Sequence, residues 1–201
     1  MPGEVDRKKF RETRKTLTMK HILIASLFFT AGLVLADSKP FKGKTPQIPG
    51  KIEAEHYDEG KAGVAYRDND VKNSGVDYRG PTQVDIEKRP DASNGHGIGW
   101  TRKGEWLHYT VEVKEAGTYA IEMPVASNKI GGLFHLEIKG LKITESIRIP
   151  DTGGWGKLKL IKCAGVKLTK GRHVIRVVMD EEGPSGSIGD IDYFKFVKNS
   201  K

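Results

Sequence analysis

Apolar and polar residues alternate with a period of two along several blocks of the chain. Leu107, Tyr109, Val111 and Val113 alternate with His108, Thr110 and Glu112. Tyr119, Ile121, Met123 and Val125 alternate with Ala120, Glu122 and Pro124, and Phe134, Leu136 and Ile138 with His135, Glu137 and Lys139. Successive side chains of a strand point to opposite faces, so the pattern predicts strands with one buried face. Residues 51–57, 146–149, 157–163, 172–180 and 191–197 are further strand candidates. Turn residues separate them, as in Glu115-Ala116-Gly117-Thr118, Ile130-Gly131-Gly132, Lys139-Gly140, Thr169-Lys170-Gly171 and Glu182-Gly183-Pro184. No stretch carries a convincing helical period. Many short strands without intervening helices predict an all-β fold, a jelly-roll β-sandwich.

The first residues break the pattern. Met19-Lys20-His21 leads into an apolar run from Ile22 that ends on Val34-Leu35-Ala36. A basic start, an apolar run and a small-residue end predict a secretory signal cleaved after Ala36. The run is shorter than the roughly 20 residues that span a bilayer, which favours a signal over an anchor. Residues 1–36 are therefore read as a signal-peptide region, with Met19 as the start or residues 1–18 as a long basic lead. Residues 37–49, with Lys, Pro, Gly and Ser, predict a flexible linker; 50–197 form the domain and 198–201 a tail.

Composition changes this picture only slightly. The net charge is +8, and removing residues 1–36 takes away seven basic and three acidic residues, leaving +4. Such a mild bias does not argue for nucleic acid and modestly favours acidic polysaccharides. The single cysteine, Cys163, excludes an internal disulfide and reads as a small buried hydrophobe.

Two constellations could carry chemistry. In Pro150-Asp151-Thr152-Gly153-Gly154-Trp155-Gly156 an indole stands among glycines on a loop, where no regular element hides it. Its flat apolar face suits the C–H face of a pyranose ring. Tyr78, in the loop Gly75-Val76-Asp77-Tyr78-Arg79-Gly80-Pro81, is the candidate second wall of a sugar slot; the other reading has both rings covering the core. Trp106 opens a strand and is expected in the core, while Trp100 reads either way. Glu53 and Glu55, at i and i+2 of a strand, share a face and repel unless a cation separates them. An oxygen-rich site completed by a carboxylate of Gly189-Asp190-Ile191-Asp192-Tyr193 suits Ca²⁺. A solvated strand face is the alternative. No HExxH, CxxC, GxSxG or Walker pattern occurs, and the histidines show no ligand spacing and read as surface residues. A carboxylate pair for glycoside hydrolysis survives counting, but a domain of this size leaves little room for a deep cleft.

The chain also carries, in order, Ile52-Glu53-Ala54-Glu55, Gly63-Val64-Ala65-Tyr66-Arg67-Asp68, Asn73-Ser74-Gly75, Val84-Asp85-Ile86-Glu87, Gly99-Trp100-Thr101, Gly104-Glu105-Trp106-Leu107-His108-Tyr109, Ala116-Gly117-Thr118-Tyr119, Asp151-Thr152-Gly153-Gly154-Trp155 and Asp190-Ile191-Asp192-Tyr193-Phe194. Over residues 50–197 this series resembles the family 6 carbohydrate-binding modules. The resemblance implies a jelly-roll β-sandwich with a structural calcium on Glu53, Glu55 and Asp192. It also implies a sugar site in the end loops, with Trp155 as the loop tryptophan, Tyr78 as its partner, and Arg79 and Asp190 among the contacts. Asp190 stands where the family has Asn, and a carboxylate accepts hydrogen bonds without donating as an amide does. The function so implied is non-catalytic binding of a polysaccharide or oligosaccharide by a secreted, periplasmic or cell-surface protein. A separate glycoside hydrolase is its expected partner, with neither nucleic acid nor a membrane span after signal cleavage. The competing readings are a small secreted glycoside hydrolase or lyase, and a structural cell-envelope sandwich without sugar affinity.

Overall fold

The computed structural model describes residues 38–199. The signal-peptide region lies outside the described residues, as do the last two residues of the tail. The alternating segments form two sheets. The first contains β1 (Gln47–Ile48), β3 (Tyr66–Arg67), β6 (Trp106–Val113), β8 (Leu133–Ile138), β9 (Leu141–Lys142), β10 (Ile147–Arg148) and β12 (Gly171–Glu181). Its order is β1-β6-β12-β8-β10, with β3 also on β6 and β9 on β8. The second contains β2 (Gly50–Glu53), β4 (Ile86–Lys88), β5 (His96–Ile98), β7 (Gly117–Ser127), β11 (Gly154–Leu168), β13 (Asp190–Ile191) and β14 (Tyr193–Lys198). Its order is β2-β14-β7-β13-β5-β4, with β11 on the other edge of β7.

The inner faces supply one core, with Tyr109, Val111, Phe134, Leu136, Ile175 and Val177 from the first sheet against Ile121, Met123, Val125, Ile191, Phe194 and Phe196 from the second. This is the jelly-roll β-sandwich that the period-two pattern predicts, since every alternate residue of these strands needs a dry face. Among the described residues no helix is long and apolar enough to cross a membrane.

One proline shapes the junction between β13 and β14. Pro124 sits within β7 and has no N–H to give. Asp192 N donates to the Pro124 carbonyl (3.0 Å), but the Asp192 carbonyl cannot be answered from β7 and instead accepts Ala54 N (2.9 Å). The ladder slips there: Ile191 faces Val125, whereas Lys195 faces Glu122. The slip separates β13 from β14 and brings Asp192 beside the turn after β2.

Three sequence expectations change. Strand 51–57 ends at Glu53 and continues as a 3-10 turn, Ala54–His56. Residues 38–48 are not a loose lead-in. Ile48 is fully buried, β1 pairs in parallel with β6, and Ser38 Oγ donates to Asp58 Oδ2 (2.9 Å). The apolar content of this stretch is low, but one isoleucine and a backbone ladder are enough to attach it. Trp106 is buried as expected, yet on the outer face of the first sheet, under the guanidinium of Arg176 (4.5 Å).

Asp58 ties these parts together. It is buried and also accepts Thr110 N (2.8 Å) and Thr110 Oγ1 (2.6 Å). Asp58→Ala leaves three donors without their acceptor and is expected to lower stability by about 3 kcal/mol, measured by urea unfolding. Ser38→Ala, which removes one partner at the periphery, is expected to cost about 1 kcal/mol or less in the same assay.

Candidate functional site

Trp155 is half-buried and is the second residue of β11, not a free loop residue. The strand is irregular there. Gly154 faces Ser127 and Lys159 faces Val125, so five steps on β11 match two on β7 and residues 155–158 bulge outward. The preceding loop is held from both sides. Asp151 Oδ1 accepts Gly153 N (2.8 Å), and Thr152 Oγ1 accepts Ser127 N (2.9 Å) at the end of β7. Gly153 has φ +83°, a left-handed conformation that turns the chain into the bulge.

Across from Trp155 stands Trp100, 42% exposed and with φ +48°. Together with Glu87, Arg102 and Asp190 the two indoles line an open cleft of about 280 Å³. Trp100 is positioned by its neighbours. A side chain at Gly99 would start 3.1 Å from Glu87 Cγ and 3.2 Å from Asp190 Oδ1, so glycine lets the backbone pass close over this carboxylate pair without displacing it. The buried Thr101 Oγ1 donates to the Gly189 carbonyl (2.7 Å), which fixes the segment entering β13.

Beneath the cleft lies Arg89. Its Nη1 donates to Asp190 Oδ2 (2.6 Å) and Glu87 Oε2 (2.8 Å), its Nε and Nη2 reach Asp91 (3.2 and 3.0 Å), and Nη2 also donates to the Trp155 carbonyl (2.6 Å). One guanidinium thus fixes β4, β13 and the start of β11. Burial, with the charge of Glu87 adding to it, lifts the Asp190 carboxyl to about 7, and Arg89 works against that rise.

Tyr78 and Arg79 lie elsewhere. Tyr78 packs against His96 (centroids 4.3 Å apart), and its hydroxyl is 2.9 Å from His56 Nε2. Arg79 donates through Nη1 to the carbonyls of Glu55 and Tyr57 (2.7 Å each) and is flanked by the rings of Phe41 and Tyr57. Neither lines the cleft. The partner that the sequence left undecided, Trp100, takes the position expected of Tyr78. The fold carries Tyr78 to the region of the Ala54–His56 turn, where a loop and two histidines enclose it. Nothing local in the sequence marks Arg89, because its partner Asp190 lies 101 residues away. Nor are all histidines surface residues: His135 is buried, with Nδ1 2.8 Å from Asp180 Oδ2.

Glu53, Glu55 and Asp192 do converge, though not as neighbours on one strand. Glu53 ends β2, Glu55 is in the following turn, and Asp192 stands at the slip between β13 and β14. Ser93 N donates to both oxygens of Asp192 (3.1 Å each), and Ser93 Oγ lies 2.7 Å from Glu53 Oε2 and 3.2 Å from Asp192 Oδ1. Glu55 has no exposed surface. Asn94 Nδ2 donates to its Oε1 (2.6 Å), while its Oε2 has no protein partner. Burial first, then the charges of Glu53 and Asp192, lift Glu55 to about 7. Burial also raises Asp192, with Glu53 adding to the effect. Hard divalent cations take oxygen donors of this kind, and Glu55, through its Oε2, with Glu53 and Asp192 nearby, are the residues that could hold one.

Removing Arg89 tests the first cluster. Arg89→Met leaves Asp190 buried and unpaired, and is expected to cost about 3–5 kcal/mol in urea unfolding. Adding Asp190→Asn to that variant is expected to restore part of the loss, because the uncompensated charge goes with it.

The profile of the carbohydrate binding module (family 6) matches residues 74–198. A family 6 module from Cellvibrio mixtus lichenase 5A, solved with cellotriose, has the same fold with TM-score 0.55 at 24% identity, covering 76% of this chain and 98% of that one. A β-1,3-glucan-binding family 6 module from Bacillus halodurans matches with TM-score 0.57 at 22% identity, over 76% and 98%. Among curated proteins, the clotting factor G α subunit of Tachypleus tridentatus is 30% identical over 82 residues, 40% of this chain and 12% of that protein. A β-agarase of Microbulbifer thermotolerans is 32% identical over 82 residues, 40% of this chain and 18% of the enzyme. The chain thus spans less than a fifth of the length of these two relatives. With most of the sandwich inside the matched span, the chain belongs to the family 6 carbohydrate-binding modules.

Proposed function

We propose that the chain binds a polysaccharide or oligosaccharide without cleaving it, in the cleft between Trp100 and Trp155. The observation that carries this reading is the pair of half-exposed indoles facing one cleft with polar groups at its base. Among the described residues neither indole is stacked on another ring, so both faces of the gap are free for the apolar face of a sugar. Asp190 and Glu87 accept hydroxyl hydrogen bonds, and Arg102, held by the Gly186 carbonyl, is a donor at the rim. Both carboxylates of the cleft are bound to Arg89, which holds them in place to orient sugar hydroxyls. A shallow open site exchanges water for protein at each hydroxyl, so affinities of about 0.01–1 mM are expected.

The same reading assigns Ca²⁺ to Glu53, Glu55 and Asp192. The ion offsets the mutual repulsion of the three carboxylates and supplies the missing partner of Glu55 Oε2. It also takes residues 1–36 as an export signal, which puts the module outside the cytoplasm, with a separate glycoside hydrolase supplying any cleavage of the bound glycan.

Trp100→Ala and Trp155→Ala are each expected to weaken the best ligand of a glycan array by at least about tenfold in isothermal titration. Tyr78→Phe is expected to leave that affinity unchanged. A flat array with wild-type protein, or sugar release from a bound glycan, would overturn the reading.

The cation has a pH signature. Without it, Glu55 titrates higher in the folded state (about 7) than its ordinary 4.5, so stability is full at low pH and is lost as pH rises through about 7. Calcium removes this loss by favouring the carboxylate. Added calcium is therefore expected to raise the melting temperature at pH 8 and to raise it much less at pH 5, with Glu55→Gln abolishing the difference.

A further inference from the structure

The cleft carries more negative charge than sugar hydroxyls require. Among the described residues that line or brace it, Glu87, Asp91, Asp190 and Glu182 are carboxylates, and Arg89 and Arg102 are the cations that answer them. Asp151 and Lys157, on either side of Trp155, offset one another. Arg89 holds one oxygen of each lining carboxylate, Asp190 Oδ2 (2.6 Å) and Glu87 Oε2 (2.8 Å), both through Nη1. Glu87 Oε1 and Asp190 Oδ1 accept no hydrogen bond among the described residues, so two neighbouring groups at the base of the cleft each keep a free oxygen. Arg102, the one cation among the lining residues, is engaged with the Gly186 carbonyl and lies 4.0 Å from Glu182 Oε2.

The walls favour a cation as the base does. Among the described residues no lysine or arginine lies over Trp100 or Trp155, whereas the ring of Trp106 is already covered by Arg176. The face of an indole is electron-rich, and tryptophan is the best aromatic partner for a positive charge. An ammonium group brings three N–H donors and no acceptor, and a carboxylate brings acceptors and no donor, so the two match completely. A hydroxyl also fits, but a hydrogen bond between two charged groups is about twice as strong as a neutral one. An amide at position 190 would keep the shape and lose the charge. The aspartate is what leaves the base of the cleft anionic in spite of Arg89.

We propose that the cleft selects an amine-bearing glycan, a chain of hexosamine residues with free amino groups, over neutral and acidic ones. The proposal rests on the Trp100–Trp155 cleft being the sugar site. The ring of such a residue lies against an indole while its ammonium donates to Glu87 Oε1 and Asp190 Oδ1. N-acetylation removes the charge and all but one of the donors, and an acidic sugar meets repulsion from the same carboxylates. The mild positive charge of the whole domain, which by itself favours acidic polysaccharides, is thus reversed within the cleft. A sugar is favoured over a lysine-rich peptide because two flat walls suit a pyranose ring, whereas a lysine stem is a narrow flexible chain.

The full chain is titrated at neutral pH with a glucosamine tetrasaccharide, its fully N-acetylated form and cellotetraose. The free-amine chain is expected to bind about tenfold more tightly than either neutral chain, in keeping with one added charge-assisted contact. That ratio is expected to fall towards one in Asp190→Asn, and also in Glu87→Gln, which leaves the bond between Arg89 and Asp190 in place. Asp77→Asn makes the same change in net charge at an exposed loop position and is expected to leave the ratio unaltered. Trp155→Ala is expected to weaken all three chains together. Equal binding of the amine and N-acetylated chains, a ratio that survives both cleft variants or falls equally in Asp77→Asn, or equally tight binding of tetralysine would overturn the proposal, while neutral binding lost in Trp155→Ala would still uphold the cleft as the sugar site. Amine binding indifferent to Trp155→Ala would overturn the proposal by placing the ligand elsewhere, and no binding of any saccharide would overturn the sugar-site reading with it.

Discussion

The geometry of the cleft depends on one buried cation. Arg89 sits among Glu87, Asp91 and Asp190 and also takes the Trp155 carbonyl. Asp190 is buried and Glu87 lies close to the same guanidinium nitrogen, so without Arg89 the two would repel one another more strongly. A buried ion pair rarely adds net stability, because desolvation cancels most of the attraction. Its value here is positional. A planar guanidinium with five donors fixes three separate segments at set angles, which no lysine could do. It anchors the Trp155 wall of the cleft to β4 and β13.

A second constraint couples the cleft to the acidic trio. Asp190 and Asp192 flank Ile191, which is fully buried in the core. Asp190 serves the cleft and Asp192 the trio, so three consecutive residues link the two. Pro124 makes this arrangement available, because its missing N–H frees the Asp192 carbonyl to bind Ala54 and shifts the ladder by one residue. Charge crowding at the trio and positioning at the cleft are thus borne by one short segment with little freedom.

The small net charge of the domain conceals a strong separation. Buried or half-buried acids gather at the cleft and the trio, with Asp190, Glu55 and Asp192 the most enclosed, and basic groups line the open face of the first sheet. Buried acids need fixed donors or cations and so define rigid sites. Exposed bases on a flat ladder need none and are open to solvent and ligands alike.

Much was legible in the chain itself. The period-two blocks settle the strands and their buried faces, because alternation is a local property of the backbone. The glycine-flanked Trp155 and the acidic residues at both ends of the domain stand out in the sequence as candidates. Tertiary structure decided which residues share them. Trp100 and not Tyr78 faces Trp155, since pairing of β13 with β5 carries the segment after β5 to the cleft while Tyr78 turns in against His96. Arg89 meets Asp190 only because the sheet order places β4, β5 and β13 side by side. The attachment of residues 38–48 rests on parallel pairing and on Asp58, neither of which leaves a local pattern. Side-chain alternation tells which way a residue faces; what it faces is set by contacts between residues far apart in the chain, and those exist only once the sheets have closed.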